Sequence, residues 1–312
     1  MYHLFFLIIC LIWGSNFILM DRAGSWFGAV DIGFFRLFGG GSMMGLLWWL
    51  SRDRLIAPRH WFHIALVALF GNALPFAIQP FLISLGFGHS FFGGIIALVP
   101  LLTILLSIPM LGVWPTFRQA IGVTGGFLGL MTLLWEGQQR GMSLTVLSLA
   151  IMVPFVYATA NTYIRWKLSE VPVIPLTTSL FVVGALFLIP CLIFEEPLLE
   201  SGPIHSAATT SWAMAVASVS GLAIFGTGIA GYLFITLLHA RGPLFAGMSS
   251  YPIPLIALAW GVFDNEPITG WQLAAIVFVL AMVALVQFDG KRSQPISENG
   301  SETLLTPTPG EP

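Results

Sequence analysis

From residue 2 to residue 288 the chain is a near-unbroken succession of apolar stretches. A helix needs roughly 20 mostly apolar residues to cross a bilayer. Ten stretches of that kind can be marked off: residues 2–20, 29–50, 62–84, 90–112, 118–135, 143–164, 174–194, 211–237, 243–263 and 271–288. The links between them are short. Charged residues make up 8% of the chain and hydrophobic ones 57%, whereas soluble domains carry roughly 25% charge. That is too little charge to coat a water-facing surface. The expected fold class is therefore an all-α integral membrane protein with ten transmembrane helices.

The opening "MYHLFFLIIC" has no basic leader and no small-residue cleavage site behind it, so it reads as a retained span rather than a signal peptide. After Phe288 the composition turns polar and rich in Pro, Ser, Thr and Glu, and residues 289–312 are expected to form a disordered tail. Lys and Arg stay on the cytoplasmic side of a membrane. Placing both termini there puts Arg52, Arg54, Arg59, Arg118, Arg165, Lys167, Arg241, Lys291 and Arg292 inside, and leaves only Arg22 and Arg140 outside. A multi-pass protein of the cytoplasmic membrane follows as the expectation.

The two ends of the chain also resemble each other. Shifting "FLISLGFGHSFFGGIIALVP" by 152 residues brings it onto "LFITLLHARGPLFAGMSSYP", with Pro100 on Pro252. A shift of 153 sets Gln119 on Gln272, and one of 144 sets Trp13 against Tyr157 and Ser15 against Thr159. The chain thus divides into a five-helix unit over residues 1–136 and a second over 142–288. An odd number of spans per unit inverts the second relative to the first, which is the inverted-repeat organisation of secondary transporters.

Polar residues inside the spans are the candidate functional groups, because an unpaired amide in hydrocarbon costs several kcal/mol. In the first span, "LIWGSNFILM", helical spacing puts Ile9, Trp13, Asn16 and Met20 on one face, with Ser15 beside them. Asn72, Phe76 and Gln79 recur at the same spacing in the third span, Tyr157 and Asn161 in the sixth, and Phe225, Gly228, Tyr232 and His239 in the eighth. Such faces either tie helices together or wall a cavity for a ligand that is part polar and part apolar. Arg36 is the one formally charged residue well inside a span. It either anchors the fold, by snorkelling or by pairing with Asp31, or takes part in substrate contact or gating. No Asp or Glu lies deep in a span, so any proton-linked role falls to His89 or His239. Pro100 and Pro252 suggest matched kinks in the fourth span of each half. The glycine clusters at 39–45, 122–129 and 221–231 read as close helix packing.

"WGSNF", "FFRLFGG", the prolines of the fourth and ninth spans and "NEPITGWQ" together resemble the drug/metabolite transporter superfamily, and within it the EamA-domain family. The resemblance covers residues 1–288. It implies transport of small metabolites, often export of amino acids or related compounds. Members often carry a Glu after the fourth span of each half. Glu266 stands at that position in the second half and is grouped with the gating and structural residues. Val113 occupies the matching position in the first half, so the first Glu's role does not carry over.

The net charge of −2 points to no nucleic acid. Cys10 and Cys191 lie in apolar runs and suggest neither a disulfide nor a metal site. No catalytic constellation or nucleotide-binding loop is visible, so an integral membrane enzyme is a weaker alternative, as is a receptor or scaffold. The expectation is a cofactor-free exporter of a neutral or zwitterionic small molecule. Its partners are the substrate and the bilayer, with a homodimer left open.

Overall fold

The structure is a computed structural model and describes residues 1–84, 95–135, 144–194, 210–263 and 270–287. Among these residues every regular element is a helix. In chain order they are α1 (Tyr2–Gly24), α2 (Ala29–Ser51), α3 (Trp61–Val67), α4 (Leu74–Ser84), α5 (Leu98–Leu111), α6 (Phe117–Trp135), α7 (Leu144–Lys167), α8 (Val173–Phe194), α9 (Trp212–Gly221), α10 (Ala230–Arg241), α11 (Pro243–Gly247), α12 (Ile253–Phe263) and α13 (Gly270–Gln287). Five stretches are long and apolar enough to cross a membrane: Tyr2–Gly24, Pro58–Ile83, Leu144–Lys167, Val173–Ile193 and Trp212–Arg241. Leu98–Leu111 and Ile276–Val286 are shorter apolar helices. Residues Ala29–Ser51 make a 23-residue helix, but Asp31, Arg36 and a run of glycines dilute its hydropathy.

Three stretches that read as plain helices depart from one. The third is interrupted by a π turn at Ala68–Ala73 between α3 and α4, and the eighth by a π turn at Leu222–Ile229 between α9 and α10. The ninth is broken outright: α11 gives way to a 3₁₀ turn at Met248–Ser250 before α12 begins. The break is prepared locally. Gly242 ends α10 at φ 87°, where its N–H bonds the Leu238 carbonyl, and Pro243 opens α11. A proline at the first helical position lacks only an N–H that would have been unpaired anyway. Pro100 and Pro252 do not kink helices in mid-course either. Pro100 is the third residue of α5, and Pro252 stands just before α12, its carbonyl accepting the N–H of Ile256.

Helices from the two ends of the chain pack on each other. α2 lies along α8 and the second π turn, while α8 also meets the first π turn. α1 packs on α9, α10 and α12; α7 packs on α4 and α5; α6 packs on α13. Small residues make these approaches possible. A Cβ added at Gly33 would lie 2.8 Å from the Phe76 carbonyl oxygen, and one at Gly40 would lie 3.0 Å from that of Ala223. Backbone thus meets backbone on two faces of α2, and no larger residue fits without moving a helix.

The two ends of the bundle differ in composition. One gathers His3, Arg59, His63, Tyr163, Arg165 and Arg241. There His63 Nδ1 and the Tyr163 hydroxyl share a 2.7 Å hydrogen bond, and Arg165 Nη1 donates to the His239 carbonyl at 2.7 Å. Arg59 also pairs with Glu170 at 2.9 Å, and the Arg241 guanidinium covers the Phe245 ring at 4.5 Å. The opposite end is aromatic. Trp212 meets Trp26 and Phe27 with ring centroids 5.5 Å and 5.3 Å apart, and Trp26 Nε1 donates to the Thr210 carbonyl at 2.9 Å.

Candidate functional site

Between these ends lies a cavity of about 140 Å³. That is close to the ~150 Å³ hole that holds one benzene ring in an engineered core. Both ends of the chain build its wall, from α1, α2, the two π-turn helices, α7, α8 and the broken stretch from α11 to α12. The wall is mostly apolar, with a few polar groups converging on it, which is the usual make-up of a small-ligand site.

The face of α1 that carries Trp13, Asn16 and Met20 turns into the cavity. Trp13 is held from two sides: its Nε1 donates to the Gly226 carbonyl at 3.0 Å, and its ring packs against Phe234 at 5.0 Å. Gly226 belongs to the second π turn, whose wider i→i+5 bonding suits a carbonyl that must also serve a side chain. Asn16 is 6% exposed, and its Oδ1 has no hydrogen-bond partner among the described residues. A buried acceptor left in that state costs about 1–3 kcal/mol. Gly226 makes room for it, since a Cβ there would stand 2.5 Å from Asn16 Oδ1.

Asn72, Phe76 and Gln79 reach the same cavity from the other π-turn helix. Asn72 Nδ2 donates to the Val67 carbonyl at 3.3 Å, immediately before the turn. Tyr157 and Asn161 come from α7 and line the same cavity as Gln79. Asn161 is 8% exposed and makes no hydrogen bond to a described residue.

Arg36 also lines the cavity, at 3% exposure. It neither snorkels nor bonds helix carbonyls. Asp31 does not pair with it, because the Asp31 carboxylate caps α2 by accepting the Gly28 N–H at 2.9 Å. Instead Arg36 Nε donates to Thr227 Oγ1 at 3.4 Å, Nη1 faces Met20 Sδ at 3.2 Å, and the guanidinium sits 4.2 Å from the Phe76 ring centroid.

Several candidates lie elsewhere. Ser15 faces away from the cavity, donating to the Leu11 carbonyl and accepting from Trp260 Nε1, both at 2.9 Å. Tyr232 is outside the lining, and Phe225 is 55% exposed on the outer surface. His239 belongs to the basic end of the bundle, not to the cavity. Pro100 and Pro252 flank the wall without lining it. His89 and Glu266 fall outside the described residues, as does the 289–312 tail. Sequence reasoning passed over Thr227, Ser249 and Ser250, which line the cavity from the second π turn and the broken helix. Their signal was a hydroxyl beside a glycine cluster or a proline, where a helix departs from regular geometry.

The EamA-like transporter family model matches residues 1–135 and 144–288 of this chain. Protein PecM of Dickeya dadantii (strain 3937) is 24% identical over 205 residues. That match spans 62% of this chain and 65% of the relative's length. A solved crystal structure shares the fold with a TM-score of 0.71 at 19% identity, over 91% of this chain and 95% of the other.

Proposed function

Since the chain belongs to the EamA-like transporter family, we propose that this multi-pass membrane protein is a secondary transporter that exports a small, amino-acid-like metabolite. In this reading the substrate occupies the central cavity, and access alternates between the two ends of the bundle. Ten spans form two inverted five-helix repeats, 1–136 and 142–288, with both termini in the cytoplasm. Membership of this family supports a transporter over an enzyme.

The observation that carries this reading is that the cavity is built jointly by both halves. Exchanging the halves also leaves the packing scheme unchanged. α2 and α8 pair with each other, as do α6 and α13; α1 on α12 is answered by α7 on α5, and α1 on α10 by α7 on α4. Binding where two repeats meet is what lets one rock against the other around a fixed site. The basic end, with Arg59, Arg165 and Arg241, is assigned to the cytoplasm by the positive-inside rule.

The test begins with the purified full chain, screened by thermal shift against amino acids, organic acids and purines. Hits are then followed as counterflow in proteoliposomes. Asn16→Leu and Asn161→Leu are expected to leave folding intact, abolish the thermal shift and stop counterflow. Hits that survive both changes would place the binding site outside the cavity and end this proposal.

A further inference from the structure

The Arg36 guanidinium is the unspent group of the cavity. Arginine stays charged at any physiological pH and presents five N–H donors. Its two contacts, to a distant hydroxyl and to a thioether sulfur, engage one donor each and leave three without a partner among the described residues. Neither contact brings negative charge. Among the described residues the one ion pair is Arg59–Glu170, at the far basic end, and no Asp or Glu lines the cavity. The Phe76 ring covers the guanidinium from one side, with its centroid 4.2 Å from Arg36 Cζ.

A buried cation without a counter-charge is retained at a cost, and a bound anion removes that cost. We infer that Arg36 is the headgroup subsite for a carboxylate, and that the substrates are small organic monocarboxylates of net charge −1. This rests on the transporter reading above and moves its substrate from the amino-acid-like class to simple carboxylates. One guanidinium matches one carboxylate in charge and in fork geometry. A phosphate monoester carries close to two charges, and no Lys, second Arg or His among the described residues lines the cavity to meet the second. An α-ammonium group finds no carboxylate there either, so a zwitterion leaves the cavity with its net positive charge, whereas a simple carboxylate neutralises it. The remaining wall sets the body of the ligand. Phe181, Phe234 and Tyr157 line it with rings, while the Asn16 and Asn161 side chains add the polar part of the wall. With about 140 Å³ to fill, the body is a single ring or a branched chain.

The experiment is a matched series on the purified wild-type chain: 3-phenylpropanoate, 3-phenylpropanamide, phenylalanine and phenyl phosphate, with affinity read by isothermal titration and uptake by counterflow. The carboxylate is expected to bind about 30-fold more tightly than its amide, the scale of a hydrogen-bonded charge, and more tightly than the zwitterion or the phosphate. Arg36→Lys should weaken the carboxylate roughly 10-fold, through loss of the bidentate fork, and leave the amide unchanged. Arg36→Gln should erase the difference between them. The wild-type series decides the matter even if Arg36→Gln does not fold. Equal binding of carboxylate and amide overturns the carboxylate subsite, preference for phenylalanine or phenyl phosphate overturns the monocarboxylate class, and each leaves the transporter reading standing. If no member of any charge binds or is taken up, both fall.

Discussion

The two ends of the bundle make the same connection with different chemistry. At each end the start of one π-turn helix meets the segment around the close of the first helix of the other half. At the basic end the contacts are His63 to Tyr163 and Arg59 to Glu170, joined by Arg165 to the His239 carbonyl. At the aromatic end Trp212 sits against Trp26 and Phe27. Hydrogen bonds and charges act over a narrow range of distance and angle, so the basic end parts abruptly once its geometry is lost. Edge-on and tilted rings keep most of their attraction through small shifts, so the aromatic end loosens gradually. A transporter with closures of two kinds can answer to ionic conditions on one side without answering to them on the other.

Accessibility of introduced cysteines tests the contrast, in a background with Cys10 and Cys191 changed to Ala. Ile164→Cys reports on the cavity from the basic end and Ile96→Cys from the aromatic end. Arg165→Met should have the largest effect, because it takes a charged donor from a part-buried carbonyl, worth about 1.5–3 kcal/mol. Labelling at Ile164→Cys should rise, and labelling at Ile96→Cys should fall as the other end closes. Trp212→Ala removes two ring contacts worth ~0.5–1.5 kcal/mol each beyond burial, and should shift the two reporters in the opposite sense. Should either change move both reporters the same way, the ends are not alternating closures. Tyr163→Phe deletes one neutral hydrogen bond, about 1 kcal/mol, and should reproduce the Arg165→Met pattern at smaller amplitude. Glu170→Gln comes last. Its pair is exposed, 71% at Arg59 and 75% at Glu170, so about 0–1 kcal/mol is at stake. Labelling should barely change, and what change there is should vanish in 1 M salt, where screening acts within ~3 Å.

Length and apolarity made the helices legible, because a lipid-facing segment can hide neither its composition nor its span. The cavity residues of α1, α2, α4 and α7 were legible for a related reason: Asn16, Arg36, Gln79 and Asn161 cannot face lipid cheaply, so each had to face protein or a cavity. Ser15 misled because it is adjacent to Asn16 in sequence and so points about 100° away on the helix, toward Trp260. The eighth stretch misled in the choice of face. The aromatic and histidine side chains select Phe225, Gly228, Tyr232 and His239, but the cavity face runs through Gly226, Thr227, Gly231 and Phe234. Thr227, Gly231 and Phe234 keep helical spacing too, so spacing alone did not choose between the two faces. The broken ninth stretch was half legible. Pro252 marked an interruption there, but it read as a kink when it stands at a fresh start.

Arg36 also has a consequence for how the chain is made. Its helix is less apolar than the long spans, and an arginine at mid-helix adds roughly 2.5–3.5 kcal/mol to the work of insertion. The surroundings that accept that side chain include Tyr157 and Thr227, and α2 packs along α8. All of these belong to sequence that leaves the ribosome well over a hundred residues after α2. At about 5–20 residues per second, α2 spends on the order of ten seconds in the membrane without them. Over that interval the guanidinium has only first-half cover, and a chain cut after its first half would keep Met20 and Phe76 against it but never gain the hydroxyl of Thr227.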